Sequence, residues 1–148
     1  SYLPVELSCK TEYALLAMIE LGVHHAKGEP LQIRQMAAQQ QIPDRYLEQL
    51  LATLRRAGLV KSQRGAKGGY LLTREPWNIA LIDVVGCIEG YEPTSESGKA
   101  ERTIEALVVS DLWSQVQAAA QGVLAQHTLQ DLIDQRNARQ QVDLMYYI

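Results

Sequence analysis

Residues 44–74 read DRYLEQLLATLRRAGLVKSQRGAKGGYLLTR. Leu47, Leu50, Leu51 and Leu54 recur at i, i+3, i+4 and i+7, the spacing of one face of an α-helix. Asp44 is placed to cap the start and Gly58 to end it, so the pattern predicts a helix from Asp44 to about Ala57. Leu59–Ser62 and Tyr70–Thr73 then read as two short strands joined by the tip Gln63–Gly69, which gives a β-hairpin.

Upstream, Leu31–Gln40 reads as a short helix with Ile33, Met36 and Ala37 facing inward, followed by the turn Gln41-Ile42-Pro43-Asp44. Leu7–His25 reads as a longer helix with Leu15, Leu16, Met18, Ile19 and Val23 on its apolar face; Lys27-Gly28-Glu29-Pro30 breaks it. Its candidate N-caps are Ser8 and, better placed, Thr11. Downstream, Ile79–Glu89 reads as another helix. Gly90–Arg102 has almost nothing apolar and reads as a flexible loop. Thr103–Gln126 is then one long helix whose apolar residues, Ile104, Leu107, Val108, Leu112, Val116, Val123 and Leu124, recur every three to four positions. Thr128 caps a short helix to about Asn137, and Val142–Ile148 reads as strand-like.

The fold class is therefore mainly α with a small β-hairpin: a winged helix-turn-helix plus a long C-terminal dimerisation helix. The expected division is 1–90 for the winged helix-turn-helix, 91–102 for the loop, and 103–148 for the dimerisation helix and tail. The long helix would expose its apolar stripe alone, so a second copy is the expected partner.

The 148 residues carry a net charge of −3, which alone argues weakly against a nucleic-acid partner. The distribution reverses that. Residues 42–74 hold seven bases (Arg45, Arg55, Arg56, Lys61, Arg64, Lys67, Arg74) against two acids, whereas residues 75–148 hold four bases against eleven acids. The overall charge hides a basic segment beside an acidic half, and the local basic patch is the quantity that matters for phosphate contact. No apolar run reaches membrane-spanning length and no secretory leader is visible, so a cytoplasmic chain with no membrane partner is expected. Cys9 and Cys87 lie far apart and outside any Cys/His cluster, consistent with reduced thiols.

Helix, turn, helix and basic-tipped hairpin, in that order, point to duplex DNA as partner. The second helix of such a pair enters the major groove. Its first turns offer Arg45, Glu48 and Gln49, which can pair with guanine, cytosine N4 and adenine respectively. Tyr46, Thr53 and Arg56 are phosphate contacts or packing residues. The tip adds Arg64 and Lys67, with glycines that allow close backbone approach and let an arginine reach a narrow minor groove. Simple turn geometry would account for one or two of those glycines, and a solvated polar face would account for any single polar residue of the helix.

An enzyme is not expected. His24, His25 and His127 have neither triad nor metal spacing and read as surface or helix-end residues. The Gly-rich tip lacks a phosphate-loop pattern and sits in a hairpin rather than before a helix.

Four stretches carry a family resemblance: Leu-Ser-x-Lys-Thr-Glu-Tyr-Ala at 7–14, Tyr-Leu-Glu-Gln-Leu at 46–50, Leu-Arg-Arg-Ala-Gly-Leu-Val at 54–60, and Arg-Gly-Ala-Lys-Gly-Gly-Tyr at 64–70. They resemble the Rrf-type (BadM-type) winged-helix regulators. The Thr-Leu-x-Asp-Leu at 128–132 and the terminal Met-Tyr-Tyr-Ile are similar to the same family, particularly to its cysteine-metabolism repressors. The resemblance implies homodimers paired through the long helix, palindromic operators, base readout by Arg45, Glu48 and Gln49, and minor-groove insertion of Arg64. Lys10, in the first matching stretch, joins the DNA-contacting set. The family's iron–sulphur members carry three cysteines in the loop after the helix ending near Glu89, and this chain has none there, so no cofactor is expected.

Three readings of its signal stay open. The first is a cluster-free repressor of sulphur or cysteine metabolism, with a cysteine-biosynthesis enzyme as corepressor. The second is a redox or iron–sulphur sensor with the unusual ligand set Cys9, Glu12 and Cys87. The third is an interaction module that has lost DNA binding.

Overall fold

The computed structural model describes residues 7–90 and 102–147. Among them are six α-helices, one short 3-10 turn and one two-stranded antiparallel sheet: α1 (Cys9–His25), α2 (Ile33–Gln40), α3 (Asp44–Arg56), β1 (Val60–Gln63), β2 (Gly69–Leu72), the turn Pro76–Asn78, α4 (Leu81–Glu89), α5 (Ile104–Gln126) and α6 (Leu129–Tyr146). The mainly helical fold with one hairpin is the one the sequence predicts.

The caps differ in detail. Ser8, not Thr11, caps α1: its Oγ accepts from the Thr11 amide at 3.2 Å. Pro43 occupies the N-cap of α3 without a side-chain cap, and Asp44 is the first helical residue, where its charge still opposes the positive helix end. Leu31, expected in α2, instead lies before it and bridges to Tyr70; α2 starts after Gln32, whose backbone N–H donates to Gln35 Oε1 at 3.0 Å.

The core sits where α1, α2, α3 and α4 meet the hairpin. Met18, Met36, Leu47, Leu51, Leu54, Ile79 and Val84 are all fully buried there. One buried acid ties two of these helices together: Glu20 of α1 accepts from Gln40 Nε2 of α2 at 2.6 Å. The hairpin pairs Val60 with Leu72 and Gln63 with Gly69, so only its base reaches the core and its tip projects outward.

The C-terminal segment returns to this core. Leu81 N donates to His127 O at 3.0 Å and Leu129 N to Ile79 O at 2.9 Å, a bridge that docks the α5–α6 junction beside α4. Leu129 and Ile133 are then buried against α1 in the same cluster. Thr128 caps α6 as expected, with Asp131 returning a bond to its amide at 2.9 Å.

The segment after Asn137 departs from the expectation. No strand forms over 142–147, the described part of the expected Val142–Ile148 strand; α6 runs on to Tyr146. Ala138, Arg139, Gln140 and Gln141 are good helix formers, and nothing among them breaks the helix, so propagation overrides the β-propensity of the tyrosines and Val142. The loop expected over 91–102 falls, except for Arg102, outside the described residues.

Candidate nucleic-acid interface

The four leucines of α3 are buried, Leu47, Leu51 and Leu54 completely, and this fixes the rotation of the helix. The same rotation turns Arg45, Glu48, Gln49 and Arg56 outward. Arg45, Glu48 and Gln49 make no side-chain hydrogen bond or ion pair among the described residues, so their donors and acceptors are available to a ligand.

Tyr46 and Thr53 behave differently. Tyr46 is half-buried, and its ring stands edge-on to Tyr13 of α1, with centroids 5.5 Å apart and planes at 81°. Packing is therefore its evident role. Thr53 Oγ1 donates to the Gln49 carbonyl at 3.1 Å and accepts from Arg56 Nη2 at 3.2 Å, which holds the Arg56 guanidinium along the helix end.

Lys10 is exposed on the first turn of α1 and reaches the same surface. With Tyr46, Gln49, Leu50, Thr53 and Ile88 it lines a concavity of about 180 Å³ beside α3. A lysine, a glutamine and a threonine around one shallow hollow are suited to a phosphate group. A residue that the sequence does not anticipate holds that turn of α1 in place. The Glu89 carboxylate, at the end of α4, accepts from Ser8 Oγ at 2.6 Å and from Thr11 Oγ1. These two bonds, Ser8's first, hold its carboxyl below the usual range, and nearby Lys10 adds to the effect. The partners are 81 and 78 residues apart, so no local pattern could have revealed them.

The hairpin tip carries Arg64 and Lys67, both exposed and without a protein partner among the described residues. Its three glycines all follow from backbone geometry, not just the one or two that simple turn geometry accounts for. Gly65 has φ +112°, a Cβ on Gly68 would stand 2.2 Å from the Gln63 carbonyl oxygen, and one on Gly69 would stand 2.6 Å from that of Leu31. The bases, by contrast, serve no internal contact. Leu31 and Tyr70 exchange backbone hydrogen bonds, which joins the entry of α2 to the hairpin and sets the tip relative to α3.

The alternative ligand set is not brought together. Cys9 and Glu12 are exposed on α1, whereas Cys87 is half-buried on α4 with its thiol donating to the Val84 carbonyl at 3.2 Å. Burial pushes the Cys87 thiol up, against the lowering effect of a backbone bond, and the Asp83 charge pushes it further. Among the described residues no group of three or more His, Cys, Asp or Glu side chains could hold a metal ion. His24 Nδ1 is bonded to the Glu20 carbonyl at 3.0 Å, and His25 Nε2 lies 3.3 Å from Glu75 Oε1.

Comparison with known proteins decides the family. The Rrf2 family pattern, described as "Iron-dependent Transcriptional regulator", matches residues 7–135. The chain belongs to the Rrf2 family. As a member it is a DNA-binding transcription regulator. The HTH-type transcriptional regulator CymR of Bacillus subtilis is 37% identical over 146 residues, 96% of this chain and 99% of that protein. The HTH-type transcriptional regulator IscR of Photobacterium profundum is 33% identical over 138 residues, 92% of this chain and 80% of that one. Among solved structures, CymR of B. subtilis, described as the global cysteine regulator, superposes with a TM-score of 0.75 at 37% identity, covering 88% of this chain and 98% of that one. T. potens IscR gives 0.74 at 36%, covering 89% and 88%. These Rrf2 relatives are named regulators, not enzymes. No helix among the described residues is long and apolar enough to cross a membrane.

Proposed function

We propose that this Rrf2 regulator acts as a homodimeric repressor on a palindromic operator, reading bases with Arg45, Glu48 and Gln49 of α3 and gripping the flanking minor groove with Arg64. The observation that carries this reading is the outer face of α3: three base-competent side chains on its first two turns, free of internal partners, beside a hairpin tip whose two cations, Arg64 and Lys67, have none either. Lys10, Thr53, Arg56 and Lys67 supply phosphate contacts around them, and Tyr46 acts by packing. The functional division is 1–90 for DNA contact and 103–148 for pairing.

Pairing through α5 is supported by its surface. α5 has no buried residue, and Ile104, Val108 and Val109 are each more than 60% exposed. Each such side chain buried in a partner contributes about 1.5–3 kcal/mol. Two copies related by a two-fold axis would present two α3 helices to half-sites about one helical turn apart.

Control of sulphur or cysteine metabolism is supported by the likeness to the B. subtilis protein described as the global cysteine regulator. The expected corepressor is a cysteine-biosynthesis enzyme. Mapping of binding sites across the source genome tests the pathway: sites upstream of sulphur-assimilation genes are expected, and their absence overturns this part of the reading.

A further inference from the structure

Ala57 just after α3, Leu59 just before β1, Arg74 and one face of α4 line an open cleft of about 550 Å³, and none of the proposed DNA-contacting residues lies on it. Its floor is apolar. Leu59 is buried there, and Ile82 and Gly86 of α4 are half-buried. One cation and one anion stand over that floor, Arg74 from the segment after β2 and Asp83 from the first turn of α4.

These two charges do not neutralise each other, since the His25–Glu75 pair is the one salt bridge among the described residues. Asp83 has no side-chain hydrogen-bond partner among the described residues. Arg74 donates to the Asn78 carbonyl at 3.4 Å, the far limit of a hydrogen bond, so most of its fork is free. A guanidinium and a carboxylate kept apart over an apolar floor fit a small molecule that carries both charges. A simple anion would meet Asp83 and a simple cation would meet Arg74, so each is disfavoured by one wall.

We propose that this cleft binds a free α-amino acid, with its carboxylate on Arg74, its ammonium on Asp83 and its side chain over Leu59 and Ile82. The planar fork of Arg74 suits a carboxylate. Binding itself is independent of the DNA reading; its regulatory meaning rests on that reading. An occupant links Ala57, which ends α3, and Leu59, which leads into the hairpin, to α4, which packs against α5.

Calorimetric titration of the full chain, without DNA, tests the site. The probes are the common L-amino acids taken one at a time, each followed by its methyl ester and its N-acetyl derivative, which keep one charge and lose the other. At least one zwitterion is expected to bind with a Kd below about 1 mM. Its ester and N-acetyl forms should bind at least tenfold more weakly. Asp83→Asn and Arg74→Gln should each lower affinity at least tenfold. Asp83 is exposed, so its variant keeps the fold and carries the test should Arg74→Gln unfold. No binding by any zwitterion, equal binding by the singly charged derivatives, or binding that survives Asp83→Asn would each overturn the proposal. Because no DNA is present, failure here leaves the DNA reading untouched, and a failed gel shift leaves this titration standing.

Discussion

Leu31 and Tyr70 exchange both of their backbone hydrogen bonds: Leu31 N donates to Tyr70 O at 3.0 Å, and Tyr70 N donates to Leu31 O at 2.8 Å. The residue just ahead of α2 is thus joined to β2 by a single antiparallel bridge, which ties the hairpin to the helix pair. Gly69 makes the approach possible, since a Cβ there would meet the Leu31 carbonyl at 2.6 Å while the backbone holds φ +153°. Gly69→Ala is expected to cost about 1–3 kcal/mol, the usual range for a backbone forced into a sparsely populated region. Thermal denaturation checks it, at about 3–4 °C per kcal/mol for a chain of this size. An unchanged melting temperature would mean that the Leu31–Tyr70 bridge does not constrain the hairpin.

Glu89 links the end of α4 to the start of α1, and its carboxyl is held below the ordinary value by bonds from Ser8 and Thr11. A carboxyl lowered in the folded state stabilises the fold above its unfolded pKa and loses that contribution as pH falls through its folded pKa. Glu89→Gln keeps the shape but not the charge. The variant is expected to be less stable at neutral pH by about 1 kcal/mol, allowing for partial solvent exposure. The gap between the two proteins should close as pH falls below the usual carboxylate range. Urea unfolding at several pH values measures this; a gap independent of pH would remove the charge from the account.

The reach of the sequence follows from the range of the interactions. α3 is legible because Leu47, Leu50, Leu51 and Leu54 form a local periodic signal with one interpretation. The hairpin is legible from its glycines and bases. The cap of α3 shifts by one residue because an acid at the N-cap and an acid in the first turn give the same pattern and both oppose the helix dipole. Leu31 reads into α2 because its strand-like role depends on Tyr70, which is far along the chain. The tail misleads because Val142 and the tyrosines suggest a strand, while the helix that absorbs them starts at Leu129, where Leu129 and Ile133 are anchored in the core. Lys10 belongs to the expected interface, but its position beside Gln49 and Thr53 depends on Glu89 and is not written in any local stretch.

The tip cations should act electrostatically. Arg64→Ala and Lys67→Ala are each expected to weaken DNA binding and to reduce the slope of log affinity against log salt by about 0.9 for each phosphate no longer neutralised. Fluorescence anisotropy over a salt series checks the slope. Affinity and slope unchanged in both variants would mean that the hairpin does not touch DNA.

Pairing through α5 predicts a dimer that one charge can split. Leu112 is 59% exposed in the single chain, so Leu112→Asp leaves the core intact. Sedimentation of the parent protein should give twice the chain mass, and the variant should sediment as a monomer with an unchanged helical spectrum. A parent protein that stays monomeric at micromolar concentration would rule out α5 as the pairing surface.

Selection of bound duplexes from a random pool, run in parallel with the parent chain and with Gln49→Ala, tests base reading by α3 most directly. The parent is expected to select a palindromic motif with half-sites about one helical turn apart, and the variant to lose about 1–3 kcal/mol of discrimination at one symmetric pair of positions. A motif unaltered by Gln49→Ala, Glu48→Ala and Arg45→Ala alike, or no motif at all, would contradict it.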